Sequence, residues 1–592
     1  MLGVLVLYVP AAWAHAQLIS TNPSAGSVVA TGPTIVVLTF GEPVEIPLGS
    51  MSVLDAAGHR VGVGGPYHPD GAPARVAEAV RPDLPPGGYV VTWRVISADS
   101  HPVHGAFTFL VGSGSAAAAA AEASRLSAAE AGSTTVGWVY GTIRTVDYGG
   151  FAIFLGGAAV VALAWPEGRR DRRLRRLVRS GWVVAGVATA GSIAVQSVYG
   201  AGRPLSDALL PSLLSATVHT RFGQLVLTRL AVVVLAGGFL MVRLFDPPPE
   251  RQDASPNGPW LICAAAVAVV VLATFSLSGH ASQGGDAGFA TVVDVIHIGA
   301  ACLWIGGLAV LAIAALDRSL PAPDHTLLRF SQWALVSAVA IAVTGTIAAW
   351  RQVGSFPALT GTDYGRLVLA KSGGFLALVA LGALSRRRLH GSWALPGLSR
   401  PSPVVVPAAV GAPAAVGVPA MGEVRTRSSN ATDVGTDASI GTATRRRVRR
   451  TVALELAVGA GVLVLTALLV NAKPGRQAYV PAVSATTLAG PTKVLVTMPA
   501  ARAGLASLNL QAEDAATGRP VQVPEIDASF SLLGAAAGSI DDLGVQLRSD
   551  GAGRFSAVGL DVPIVGRWQL SLTVRTNAID EYYASPVTIR FR

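Results

Sequence analysis

Cysteine is almost missing from this 592-residue chain: there are two, Cys263 and Cys302, each inside an apolar run. Without more of them no disulfide framework can form, and no CxxC pair exists to make a thiol redox centre. Charge is sparse as well. Asp, Glu, Lys and Arg supply 14% of the residues, while 51% are hydrophobic, a balance that points to a membrane protein. No Walker motif, kinase-type motif or DKTG-like phosphorylation sequence occurs, so transport driven by the chain's own ATP hydrolysis is not expected. The net charge of +10 lies mostly in two arginine clusters, Arg169–Arg179 and Arg445–Arg450. Such clusters can bind nucleic acid. Here each flanks an apolar run, and the excess of basic residues in cytoplasmic loops accounts for them. The expected surroundings are a lipid bilayer and no nucleic acid.

The chain opens on an apolar segment, Leu2–Val9, followed by Ala12-Trp13-Ala14, a small-x-small cleavage pattern. Residues 1–14 therefore read as a signal peptide, although no Lys or Arg precedes the apolar run. Cleavage after Ala14 would make His15 the first residue of the mature chain, offering its α-amine and ring Nδ1 as one chelate. Residues 15–112 read as a β-sandwich of about immunoglobulin length, with alternating strands at Thr34–Phe40, Gly88–Ile96 and Ala106–Val111. Within it, Trp93–Gly105 reads WRVISADSHPVHG. If this stretch is a strand, Asp99 and His101 point to one face, with His104 close behind. His15, Asp99 and His101 together form a nitrogen-rich set with one carboxylate, which suits tetragonal Cu(II). The plain alternative is that Asp99 and His101 cap a hairpin. His104 reads as a neighbour of the site, and His59 and His68 as solvated loop residues.

The segments HAQLISTNPSAGSVVATGPTIVVLTFGEPVE and VISADSHPVHGAFTFLVG resemble CopC, the periplasmic copper-binding domain, from His15 to Gly112. The resemblance implies a Cu(II) site made by the N-terminal His and by the Asp and His of S-x-D-x-H, here His15, Asp99 and His101. Some members also carry a Met-rich Cu(I) site; this domain has only Met51, so that second site is not expected.

Residues 113–135, rich in Ala and Ser, read as a linker. Runs long enough for a bilayer core of about 30 Å then occur near 143–165, 181–200, 222–245, 259–279, 290–316, 330–350, 364–385 and 452–471. These are eight candidate spans, seven in a membrane domain at 136–385 and a last one at 452–471. Residues 386–451 read as a disordered cytoplasmic linker. With the first domain outside, every loop rich in Arg falls inside, and residues 472–592 return to the outside. A faint repeat links Thr220–Arg229 (TRFGQLVLTR) to Thr362–Lys371 (TDYGRLVLAK), and Gly191–Ala194 to Gly345–Ala348. Parallel repeats are a transporter device. This one makes Arg229 and Lys371 equivalent, each several residues inside its span, where a partner or a cavity is required.

The fourth and fifth spans carry the polar groups His280, Asp294 and His297, with Trp304 nearby. Asp294 and His297 share a helix face, and His297 lies about 10 Å inside its span. They are a possible membrane copper site, with His280 above them at the outer face. The alternative is structural: His297 bonds a neighbouring helix and Asp294 pairs with Arg229 or Lys371. His219 reads as interfacial, and His325 and His390 as inner surface residues. SGHASQGGDAGFATVVDVIHIGAACLWIGGL, with RFSQWALVSAVAIAVTG and TGTDYGRLVLAKSGG, resembles CopD, the membrane partner of CopC, over Ser278–Arg388. That implies copper handling at the cytoplasmic membrane.

The last domain, 472–592, alternates again at Lys493–Met498, Ala506–Ala512, Arg554–Leu560, Arg567–Arg575 and Val587–Phe591, and reads as a second β-sandwich. It holds no His and no Cys, so no metal site is expected there. Its Val562–Trp568 stretch, VPIVGRW, resembles the small FixH/YtkA-type extracytoplasmic domains. The expected whole is a multidomain, non-enzymatic membrane protein: an immunoglobulin-like β-sandwich, a bundle of about eight spans and a C-terminal β-sandwich. Its expected work is copper import or homeostasis. A haem-binding electron-transfer protein and a copper chaperone for oxidase assembly are the competing functions.

Overall fold

The computed structural model describes residues 16–46, 51–112, 133–245, 258–282, 284–316, 324–390, 442–533, 543–562, 566–577 and 579–591. The signal-like segment with His15, and most of the 113–135 and 386–451 linkers, lie outside these residues, as does the His390 side chain.

The N-terminal sandwich has two sheets. One runs β1 (Leu18–Asn22), β3 (Ile35–Phe40), β7 (Arg75–Val80), β6 (Gly62–Tyr67). The other runs β2 (Val28–Val29), β9 (Pro102–Val111), β8 (Gly87–Ser97), β4 (Val44–Glu45), with β5 (Met51–Asp55) also on β8. Inward-facing residues of both sheets interdigitate as a sandwich requires: Phe40 meets Trp93 edge-on at 5.2 Å and Tyr89 stacks on Phe109 at 5.3 Å. Met51 is a core residue, 1% exposed. Strand β8 is central and buried over almost its whole length, which explains its near-continuous apolar run.

The stretch around Asp99 departs from the strand expected for it. Strand β8 ends at Ser97 and β9 starts at Pro102. Ser97 N–H bonds to His101 O at 2.9 Å, Ser100 N–H to Ser97 O at 2.8 Å, and Ser100 sits at φ +73°. This is a three-residue hairpin loop whose last residue is left-handed. Asp99 and His101 are brought together by the turn, not by strand alternation.

Among the described residues, eight helices are long and apolar enough to cross a membrane: Thr134–Ala164, Arg172–Ala201, Arg221–Phe245, Gly258–Leu277, Ala287–Ala314, His325–Val353, Asp363–Arg387 and Arg450–Asn471, here the first to eighth spans. Large apolar side chains such as Leu235, Ile262 and Val336 point outward from them, each more than two-thirds exposed, as a lipid-facing surface requires. The first helix starts nine residues before the run picked from the sequence. Arg144 and Asp147, already within that run, are paired inside the bundle, Arg144 Nη1 with Asn471 Oδ1 at 3.5 Å and Asp147 with Arg229. Helix starts carry recognisable caps: Asp171, within the arginine cluster, accepts from the N–H groups of Arg173 and Leu174, and Thr220 accepts from Gly223.

The sandwich docks on one end of the bundle, opposite the end where Arg172 starts the second span. Arg94, 5% exposed, donates from Nε to Gly200 O at 2.6 Å and from Nη2 to Tyr199 O at 3.0 Å. It thus satisfies carbonyls at the C-terminus of the second span, the negative end of that helix. Glu45 Oε1 accepts from Arg221 N at 2.6 Å, at the positive start of the third span. Cation on a C-terminus and anion on an N-terminus fix the orientation of the docked domain.

After the eighth span the chain forms a second sandwich, β10 (Val483–Ala489), β11 (Thr492–Met498), β12 (Gly504–Asp514), β16 (Arg554–Val562), β15 (Arg548–Gly551) in one sheet. The other holds β14 (Leu543–Val545), β13 (Glu525–Leu533), β17 (Gly566–Arg575), β18 (Glu581–Tyr583), with β19 (Val587–Phe591) on β17. Its centre is an aromatic trio, Phe530, Trp568 and Phe591, packed edge to face.

Candidate metal centre

The hairpin loop after β8 is pressed against the bundle by three polar contacts. Gln196 Nε2 of the second span donates to Ser100 O at 3.0 Å. Ser100 Oγ donates to Ser278 O, past the end of the fourth span, at 3.3 Å. His101 Nε2 meets Val470 O, at the end of the eighth span, at 2.9 Å. Three spans therefore end on one turn of the sandwich.

At that junction Asp99, His101 and His280 converge. Asp99 Oδ2 is 2.8 Å from His280 Nδ1, and Asp99 Oδ1 is 3.3 Å from His101 Nδ1. The two imidazoles stack, with centroids 4.8 Å apart and planes 16° from parallel. One ligand atom from each of the three residues lies within 4.8 Å of the others; among the described residues no other such group of three occurs. Asp99 is completely buried and His101 is 8% exposed. Ser97 Oγ and the His101 N–H also bond Asp99 Oδ1, which anchors the carboxylate.

The chemistry of this set follows from its acceptors. A carbonyl only accepts, so His101 Nε2 carries the hydrogen it gives to Val470, and the Nδ1 lone pair faces Asp99. A lone pair facing a carboxylate needs a positive charge between them: a proton on Nδ1 or a metal ion. The carbonyl behind His101 is the outer partner that holds a metal-binding imidazole in one tautomer. Two imidazoles and one carboxylate suit a borderline divalent ion such as Cu(II).

Two neighbours were not legible in the sequence. Glu42 accepts from the Ala98 N–H; burial first, and the charge of Asp99 second, push its carboxyl up to about 8. Arg94 faces His104 across the hairpin. Burial, then the Arg94 charge, pushes the His104 imidazole below its ordinary value, and His104 is not in the cluster. Four further described histidines also stand apart. His59 lies on Asp55 at 3.3 Å, His68 Nδ1 on Arg75 O at 2.7 Å, and His219 Nδ1 on Ser215 O at 2.7 Å; His325 is exposed.

Deeper in the bundle, His297 Nδ1 is 2.9 Å from Thr344 Oγ1 of the sixth span, and Asp294 interacts with Ser276 and, electrostatically, with Lys371. His280, in the short helical turn His280–Ser282 after the fourth span, makes its contact with Asp99 of the sandwich. Arg229 is not the partner of Asp294. Its Nη1 lies 3.4 Å from Asp147 Oδ2, with both side chains 4% exposed. Asp147 is the lone acid of the first span, a signal the sequence did carry.

Comparison with known proteins gives three family matches: CopC domain over residues 18–112, Copper resistance protein D-like N-terminal domain over 133–289, and Copper resistance protein D over 324–422. The chain is 26% identical over 393 residues to the copper transport protein CutJ of Bacillus subtilis, covering 65% of this chain and 70% of that one. It is 34% identical over 117 residues to copper resistance protein C of Escherichia coli, 18% of this chain and 91% of that one. Among solved structures it is similar to CopC from Methylosinus trichosporium OB3b, with 39% identity, 16% of this chain and 93% of that chain covered, and a TM-score of 0.15.

Proposed function

Since this chain belongs to the copper resistance family of CopC and CopD domains, carrying both in one multi-pass polypeptide, we propose that it moves copper from an outer Cu(II) site into the membrane bundle. Copper is the cargo. Asp99 and His101 of the sandwich and His280 of the bundle bind it first, with His15 as a further ligand once the signal peptide is removed. Both sandwiches lie outside the cytoplasmic membrane, at the end of the bundle opposite the arginine clusters, and copper travels inward. Asp294 and His297 receive the ion next, in the outer half of the fifth span. Donor and acceptor share ligand types, carboxylate and imidazole, so ligands exchange one at a time without a bare ion in a low-dielectric interior.

The observation that carries this reading is the 2.8 Å contact between Asp99 of the sandwich and His280 of the bundle. A storage domain has no need of a ligand from the membrane; a donor that delivers into a bundle does. Covalent fusion raises the local concentration of the donor at the bundle's mouth. The competing haem function is poorly served. Axial imidazoles must approach iron from opposite faces of the macrocycle, whereas His101 and His280 stack face to face, and His297 bonds Thr344.

The test is copper accumulation in cells deleted for the gene and complemented with variants under limiting copper. Asp99→Asn, His280→Ala and His297→Ala should each lower accumulation while protein levels hold. Unchanged copper in the deletion strain would remove the import reading, and full uptake by His297→Ala would remove the membrane step.

A further inference from the structure

The halves of the membrane domain repeat each other in space. The first and fifth spans cross at Gly156 and Gly306. A Cβ on Gly156 would lie 1.9 Å from Cys302 O, and one on Gly306 would lie 2.1 Å from Ala152 O. Each glycine thus meets the carbonyl four residues before the other, the reciprocal pattern of a two-fold contact. The sequences around it match: LGGAAVVALA from Leu155 and IGGLAVLAIA from Ile305. The next glycines agree, with Gly157 against Val178 at the start of the second span and Gly307 against Phe330 at the start of the sixth. The third and seventh spans agree too. Thr220 caps Gly223 N at 3.1 Å and Thr362 caps Gly365 N at 3.0 Å, each after a short helix.

In this register His297 takes the place of Asp147, and Lys371 that of Arg229. Each polar residue meets a hydroxyl from the next span: Thr189 Oγ1 donates to Asp147 Oδ1 at 2.9 Å, and Thr344 Oγ1 lies 2.9 Å from His297 Nδ1. The first half is closed. Arg229 reaches Asp147, donates from Nε to Thr274 Oγ1 at 2.8 Å, and lies over the Phe275 ring at 3.4 Å. The second half is open. An imidazole there cannot balance the ammonium, and the carboxylate is Asp294, one turn nearer the outside. Among the described residues Lys371 makes no hydrogen bond or ion pair, though it interacts electrostatically with both Asp294 and His297. Thr344 Oγ1 already donates to Ala340 O at 2.5 Å. It therefore accepts from His297 Nδ1–H, and His297 Nε2 keeps its lone pair.

We infer that the Lys371 ammonium is a tethered stand-in for the transported ion: it balances Asp294 while the site is empty and is displaced when copper binds Asp294 and His297 Nε2. Arg229 holds the matching place in the first half permanently, so only the second half loads. This rests on the reading that Asp294 and His297 receive copper. It makes Lys371 a positioning and specificity residue: an ion must outcompete an attached cation, which discriminates against weakly held ones.

The experiment uses the purified full chain in nanodiscs, with the outer site silenced by Asp99→Asn and His101→Ala, titrated with Cu(II) against a chromophoric chelator and followed by paramagnetic resonance. Lys371→Met should tighten the remaining site by about tenfold, the scale of one charge repulsion removed from a partly buried site. Lys371→Arg, a cation better held in place, should weaken it by a similar factor. His297→Ala should abolish it together with its nitrogen coupling. If His297→Ala keeps its copper, the membrane site itself is wrong. If His297→Ala loses copper while Lys371→Met and Lys371→Arg bind like the parent, the stand-in is wrong and the site remains. Should Lys371→Met not fold, Lys371→Arg decides alone, and unchanged affinity overturns the inference.

Discussion

Replacing His280 with alanine tests whether the proposed outer copper site belongs to one domain or two. Asp99 is fully buried and takes three donors from the protein: Ser97 Oγ, the His101 N–H and His280 Nδ1. Removing His280 deletes the one that comes from the bundle, and with it the ring stacked on His101. Loss of a group that holds a metal ligand in place typically costs about 10- to 100-fold in metal affinity, so copper affinity should fall by at least about tenfold. The assay is competition for Cu(II) between the purified full chain and a chromophoric chelator, with paramagnetic resonance to count nitrogen ligands. His219→Ala, exposed at the same end of the bundle, is the control and should bind like the parent. Amide exchange of Ser97–His101 in the copper-free variant should quicken, since the hairpin loses a clamp. The two-domain site is refuted if His280→Ala binds copper within twofold of the parent while His101→Ala loses it.

Arg229→Met should destabilise the bundle by about 3–5 kcal/mol, because Asp147 loses its ion-pair partner in the interior; adding Asp147→Asn should restore the thermal midpoint, and a single variant as stable as the parent would show the pair to be dispensable. Glu42, ordinarily near 4.5 and raised to about 8, is favoured protonated in the folded state. Its contribution is complete below about pH 4.5 and is lost as pH rises through about 8. In copper-free protein, Glu42→Gln should therefore melt higher than the parent at pH 8–9, relative to their difference at pH 4.5, and a pH-independent difference would refute the assignment. For topology, cysteines placed at Ser556 and at His325 in a cysteine-free background should be labelled in intact cells at Ser556 only; labelling at His325 alone would invert the orientation.

Local pattern carried much of the fold. Alternation marked β8, β9 and the main strands of the second sandwich. Long apolar runs marked all eight spans. The S-x-D-x-H segment marked Asp99 and His101. These signals are legible because strand and helix periodicity, and bilayer thickness, act on neighbouring residues. The same reasoning misread the Asp99 stretch as a strand, since alternation looks alike on either side of a tight turn and Ser100 gives no sign of its left-handed backbone. It also began the first span late, because Thr134, Thr135, Gly137, Gly141 and Thr142 dilute the apolar character of its first turns. Which groups meet was decided by packing. His280 joins Asp99 across 181 residues, and Arg229 joins Asp147 across 82. No periodicity spans such distances; the contacts exist because Arg94 and Glu45 dock the sandwich on helix ends, and because Gly156 and Gly306 let two spans cross at backbone distance.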